Sequence, residues 1–173
     1  DHLVITGDLT DNASPGDFEI LRKIFIKQGL LNYDRLSIVI GNHDIFGGIQ
    51  TPEDILLFPD KCMSINYDLR VAEFYNYFSE IFYNSAFRGE NYFPYAKILD
   101  NILFAGVNSI AKYSKIRNPF ASNGEVSLAE FNSLSAILNN SESAGKIKIL
   151  LIHHYFNKIK DNNGGTKSLW HNI

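Results

Sequence analysis

LVITGDLTD at residues 3–11 and LSIVIGNHD at residues 36–44 decide the reading of this chain. Each begins as an apolar run of strand character and ends abruptly in Asp, Asn or His. Between them, Ser14 fits a helix N-cap, with Pro15 at the first helical position, Asp17 in the first turn and Gly29 as terminator. Leu21, Ile24 and Phe25 recur at helical spacing and are predicted to face a sheet, with Phe18 a turn earlier. Strand, helix, strand is a parallel crossover, which brings the ends of both strands to the same sheet edge. GDLTD at 7–11 and GNHD at 41–44 are therefore predicted to meet there.

A third strand, Lys146 to Ile152, ends in His153 and His154. Asp8, Asn42 and His153 would then deliver a carboxylate, an amide oxygen and an imidazole nitrogen to one edge. Those donors suit manganese, iron or zinc. Hydrolysis of a phosphate ester needs a water-derived nucleophile, neutralised phosphate oxygens and a proton for the leaving alkoxide, and divalent metals supply the first two. Gly-Asp and Gly-Asn also make simple turns, but that alternative leaves unexplained why His43 and Asp44 follow at once.

The arrangement resembles the calcineurin-like metallophosphoesterase superfamily, whose signature runs D-x-H, G-D-x-x-D, G-N-H-D/E, a lone His, then G-H-x-H. Gly7 to Asp11 match the second element, Gly41 to Asp44 the third, and His153 the fourth. The resemblance implies a two-metal centre in which Asp8 bridges the ions while Asn42 and His153 bind one of them. It implies that His43 protonates the leaving group or stabilises phosphoryl charge, with Asp11 orienting it. Neighbouring residues of a strand point to opposite faces, so His153 and His154 cannot both bind one ion. The family pattern favours His153 and leaves His154 as a substrate-binding or structural residue. His2 and His171 carry no motif.

Neither D-x-H before Asp8 nor G-H-x-H after His153 occurs among the 173 residues. The expectation is an internal portion of one catalytic domain, residues 1–173, that binds metal poorly without the rest. A small-molecule phosphomonoester or phosphodiester is the expected substrate. Two other readings stand beside it: a metal-free scaffold on the same fold that binds a protein, and a nuclease of the type that processes DNA ends. The nuclease would need a basic groove. Net charge is −3, and only Lys112, Lys115 and Arg117 cluster, so no nucleic acid is expected. With 45% hydrophobic residues the chain can bury one sizeable core. The single Cys62 excludes an internal disulfide, and no apolar run approaches the roughly 20 residues of a membrane span. The expected setting is cytoplasmic.

The rest of the chain completes an α/β plan. Gly47-Gly48, Pro52 and Pro59 mark loop, and Val71, Phe74, Tyr75, Phe78, Ile81 and Phe82 recur at helical spacing. Residues 46–95 are read as a helical, aromatic-rich insertion, either capping the metal site or simply packing its rings onto the domain. Tyr95 to Leu99 and Ile102 to Val107 flank Asp100-Asn101 as a β-hairpin. Ser127 and Glu130 suggest a capping box for a helix carrying Leu128, Phe131, Leu134 and Leu138 on one face. Asn162 to Gly165 reads as a loop and Thr166 to Ile173 as the start of a helix. The pattern gives α/β; the resemblance adds an αββα sandwich of two mixed sheets flanked by helices.

Overall fold

The computed structural model describes residues 1–83, 85, 87–89, 92–155, 158–160 and 166–168. In chain order the elements are β1 (Leu3–Ile5), α1 (Pro15–Lys27), β2 (Leu36–Ile38), α2 (Asn42–Phe46), α3 (Pro52–Ser64), α4 (Tyr67–Tyr77) and α5 (Ser79–Phe82). There follow β3 (Phe87–Arg88), β4 (Tyr95–Leu99), β5 (Ile102–Gly106), α6 (Leu128–Leu138), β6 (Ile147–Leu151), β7 (Lys158–Lys160) and β8 (Thr166–Ser168).

The opening unit forms as its sequence dictates. The Ser14 side chain accepts from the Asp17 N–H, Pro15 begins α1, and Gly29 leaves the helix at φ +64°. Phe18 and Phe25 are buried, but Ile24, expected on the same face, is half exposed. The buried stripe is the narrow line through 18, 21 and 25, and Ile24 lies to its side. The crossover then returns β2 parallel to β1, with Leu3 opposite Leu36 and Ile5 opposite Ile38.

The second sheet has the order β3-β4-β5-β6. Its β4–β5 hairpin pairs Tyr95 with Gly106 and Leu99 with Ile102 around Asp100, which sits at φ 52°. The next pairing, β5 with β6, is parallel and sets Gly106 opposite Leu151. This sheet is mixed, whereas the described first sheet is a parallel pair. Alternation divides the hairpin between two cores. Ala96, Leu103 and Ala105 pack with Leu134 and Ile137 of α6, while Tyr95 and Phe104 join Leu36, Ile38 and Phe25. Two bonds tie the sheets directly: the Tyr95 hydroxyl donates to the Ile38 carbonyl at 2.7 Å, and the Lys97 ammonium donates to the Leu36 carbonyl. Helix, sheet, sheet and helix thus stack in α/β layers around sheets that face each other.

Several expectations are corrected. Residues 52–64, read as proline-marked loop, form α3: Thr51 and Asp54 make a capping box, Pro52 occupies the first turn, and Pro59 is carried inside the helix. The aromatic stretch is two helices, α4 and α5, meeting at Phe78. Its rings build core: Phe74, Phe78 and Phe82 are buried, and Phe18 stacks on Tyr77 at 5.1 Å between centroids. In α6 the Ser127 hydroxyl caps the Glu130 N–H, but the Glu130 carboxylate accepts from the Asn108 N–H at 2.7 Å rather than closing the box. Leu128 and Phe131 are exposed, and the buried apolar residues of α6 are Leu134 and Ile137, in its second half. Thr166–Ser168 is strand, antiparallel to Lys158–Lys160, where a helix start was expected. Residues 162–165 and 169–173 lie outside the described residues.

Candidate metal centre

Gly7 and Asp8 end β1 with φ +101° and 53°, a left-handed bend that a short Asp tolerates. The bend brings Asp8 against the start of α2. A Cβ on Gly41 would lie 2.1 Å from the Asp8 nitrogen and 2.2 Å from Asp8 Oδ1. Only a bare backbone permits this approach. In return the His43 N–H donates to Asp8 Oδ1 at 3.0 Å.

Asp44 fastens the two motif loops. It is 1% exposed, and its oxygens accept from the Thr10 N–H at 2.8 Å, the Thr10 hydroxyl at 3.2 Å and the Gly41 N–H at 2.9 Å. Burial raises its carboxyl above the usual carboxylate range, against the pull of those backbone donors. Sequence reasoning quoted Asp44 without a role. The signal was present: an acid three residues past a candidate cap glycine is placed to take that glycine's N–H.

His153 follows β6 and crosses to the first sheet. Its Nδ1–H donates to the Thr6 carbonyl at 2.8 Å. On the other side of the ring Nε2 is hydrogen-bonded to Asn42 Oδ1 at 3.0 Å and stands 3.5 Å from Asp8 Oδ1. Three candidate donor atoms from three separate elements therefore converge. With Nε2 deprotonated, carboxylate, amide oxygen and imidazole nitrogen are the donors a borderline divalent ion takes. Among the described residues no group of three or more His, Cys, Asp or Glu side chains could hold a metal. The trio draws its third donor from an amide.

His43 and Asp11 form a separate, more exposed pair. The His43 Nδ1–H donates to Asp11 Oδ1 at 2.9 Å, and the Gln50 amide donates to the other Asp11 oxygen. The His43 hydrogen bond is the main cause that holds the Asp11 carboxyl below the usual range. Gly48 closes over the pair: its Cβ would lie 2.7 Å from Asp11 Oδ1 and 2.9 Å from His43 Cε1. Gln50 and Gly48 were missed in the sequence, where Gly47-Gly48 signalled only a loop. His154 is buried, with Nδ1 3.0 Å from the Ser109 hydroxyl and its ring edge-on to His153 at 4.8 Å. Burial, then the neighbouring His153, pushes its pKa down to about 4, so the ring is neutral at pH 7. The structure places it behind His153 rather than on an open substrate face.

A family model for calcineurin-like phosphoesterases matches residues 1–170. The chain belongs to the calcineurin-like phosphoesterase family. Members of this family hydrolyse phosphoester bonds and usually bind divalent metals. No curated protein sequence and no solved structure matches this phosphoesterase. No helix among its described residues is long and apolar enough to cross a membrane.

Proposed function

We propose that this phosphoesterase is a metal-dependent hydrolase of small phosphomonoesters or phosphodiesters, with Asp8, Asn42 and His153 as its metal ligands. The observation that carries the reading is the convergence of Asp8 Oδ1, Asn42 Oδ1 and His153 Nε2 within 3.0–3.5 Å of the imidazole nitrogen. A bound pair of manganese, iron or zinc ions would supply charge neutralisation and an activated water. Asp8 is the candidate bridge, since its Oδ2 is not committed to the His43 N–H that engages Oδ1.

His43 is the proposed catalytic imidazole. Its Nδ1–H is spent on Asp11, which turns Nε2 outward to meet a phosphoryl oxygen or leaving group. When Nε2 is protonated, the Asp11 carboxylate stabilises the resulting imidazolium and holds its plane, as an orienting acid does for any catalytic imidazole. The His43 ring keeps 37% of its side-chain surface open, so a small substrate reaches it without rearrangement. Residues 46–95 belong to the same catalytic domain in this reading. Their rings serve chiefly as core, with Tyr67 and Tyr92 left at a cleft edge.

Manganese titration followed by calorimetry, alongside hydrolysis of bis(p-nitrophenyl) phosphate, tests the assignment. Asp8→Asn and His153→Ala are expected to weaken manganese binding by at least about tenfold, the scale of losing one ligand or its support. His43→Ala should spare manganese affinity and lower kcat by about 100-fold or more. Unchanged manganese binding in both ligand variants would overturn the assignment, and a parent protein that neither binds manganese nor turns over would favour the metal-free scaffold.

A further inference from the structure

A hollow among the described residues lies away from the proposed metal ligands. It is a cleft of about 1170 Å³ between α4, residues 108–126 and the first turn of α6. Its wall is aromatic, with Tyr67, Tyr92, Phe93 and Tyr113, and the side chain of Glu130 lines it from α6.

Glu130 is the unusual member. It abandons the cap of its own helix, and among the described residues its carboxylate accepts from the Asn108 N–H. No Lys or Arg pairs with it among the described residues. Lys112, which also lines the cleft, is committed to Asp68 at 3.2 Å. Partial burial drives the carboxyl of this half-buried Glu130 up to about 7, against the pull of the Asn108 N–H. Meanwhile the Tyr67 ring already accepts a cation on its face: the Lys112 ammonium stands 5.2 Å from its centroid. The Tyr67 hydroxyl is tied down at 2.6 Å to the Ile110 carbonyl and at 2.9 Å from the Asn108 amide, so that face is held still. A carboxyl that no Lys or Arg pairs with among the described residues, beside aromatic rings, is the chemistry that recognises an organic cation.

We propose that this cleft is a binding site for a small organic ammonium, with Glu130 as its counter-charge and the rings of Tyr67 and Tyr92 as its walls. The site is independent of the metal assignment but touches it through one layer of side chains. The Phe46 ring, on the helix that carries Asn42 and His43, lies 6.4 Å from that of Tyr67 and 6.5 Å from that of Tyr113. On the other side Gly124 lines the cleft and abuts His154, whose Cβ is 2.7 Å from where a Gly124 Cβ would be.

Choline and its uncharged isostere 3,3-dimethylbutan-1-ol, titrated into the 173-residue protein and followed by amide chemical shifts, test the proposal without recourse to turnover. Choline should bind saturably, about tenfold more tightly than the alcohol, with shifts centred on Asn108, Ile110 and Gly124. Glu130→Gln keeps an acceptor for the Asn108 N–H and should abolish the preference for charge. His43→Ala should leave choline binding unchanged. Equal binding of the two probes, no saturation, an undiminished preference in the Gln variant, or shifts centred on Gly41 and His43 would each overturn it. Should the Gln variant fail to fold, the shift map and the probe comparison on the parent protein still decide.

Discussion

At the scale of the residue, the site depends as much on what is missing as on what is present. Gly41 has no side chain because Asp8 occupies that space, with Oδ1 2.2 Å from where a Cβ would be. Gly41→Ala should therefore displace the Asp8 backbone, destabilise the fold by about 1–3 kcal/mol and remove measurable manganese binding. Urea unfolding and calorimetry on the same variant check both. Asp8, Asn42 and His153 stood out in the sequence as candidate ligands, since each closes an apolar run, and the structure brings these three side chains together. Gly48 did not stand out, since it acts by offering no atoms, whereas Asp44 carried a spacing signal, three residues past Gly41, that only the Gly41 N–H contact makes meaningful. For His154, the sequence set it beside His153 at the end of an apolar run but could not say that it was buried, because both residues lie past the last residue of β6.

At the scale of the element, local signals succeeded where caps and periodicity agreed. α1 began and ended where Ser14, Pro15 and Gly29 placed it, and the hairpin turned at Asp100. They failed where proline was taken as a breaker regardless of position. Pro52 follows Thr51, whose hydroxyl accepts from the Asp54 N–H at 3.2 Å, and a first-turn proline costs a helix nothing. Thr51→Ala should remove that cap and lower stability by about 1 kcal/mol, read as a shift in the urea midpoint. In α6 the expected face was one turn astray because periodicity cannot tell which half of a helix becomes buried and which stays exposed.

At the scale of the whole molecule, one ammonium lies sealed between the sheets. Lys97 is fully buried, and desolvation lowers its pKa from 10.5 to about 7. Between those values the unfolded chain binds a proton that the folded one does not, so stability rises with pH from about 7 towards 10.5. At about 1.4 kcal/mol per unit the gain is on the order of a few kcal/mol, and Lys97→Met should flatten it. Glu130 acts in the opposite direction below neutrality. Its folded pKa is raised from 4.5 to about 7, so its contribution is full below 4.5 and lost as pH rises through 7. Urea midpoints measured from pH 5 to 10 on the parent, Lys97→Met and Glu130→Gln should show the two slopes vanish separately. The αββα layering was accessible only through family resemblance, because alternation within each strand says which faces are apolar but not which sheet they meet.

The imidazole at 153 hangs from the outermost ribbon of its sheet. β6 pairs only with β5 among the described residues, and Ile147, Ile149 and Leu150 are open to solvent. Such a ribbon breathes more freely than the strands inside it, and a cation held by Asp8 and Asn42 would moor its far end to the opposite sheet. Deuterium uptake at residues 147–151 should accordingly slow when manganese is added, while α1 stays unaffected. Ion capture and the fastening of this strand would then be one and the same event.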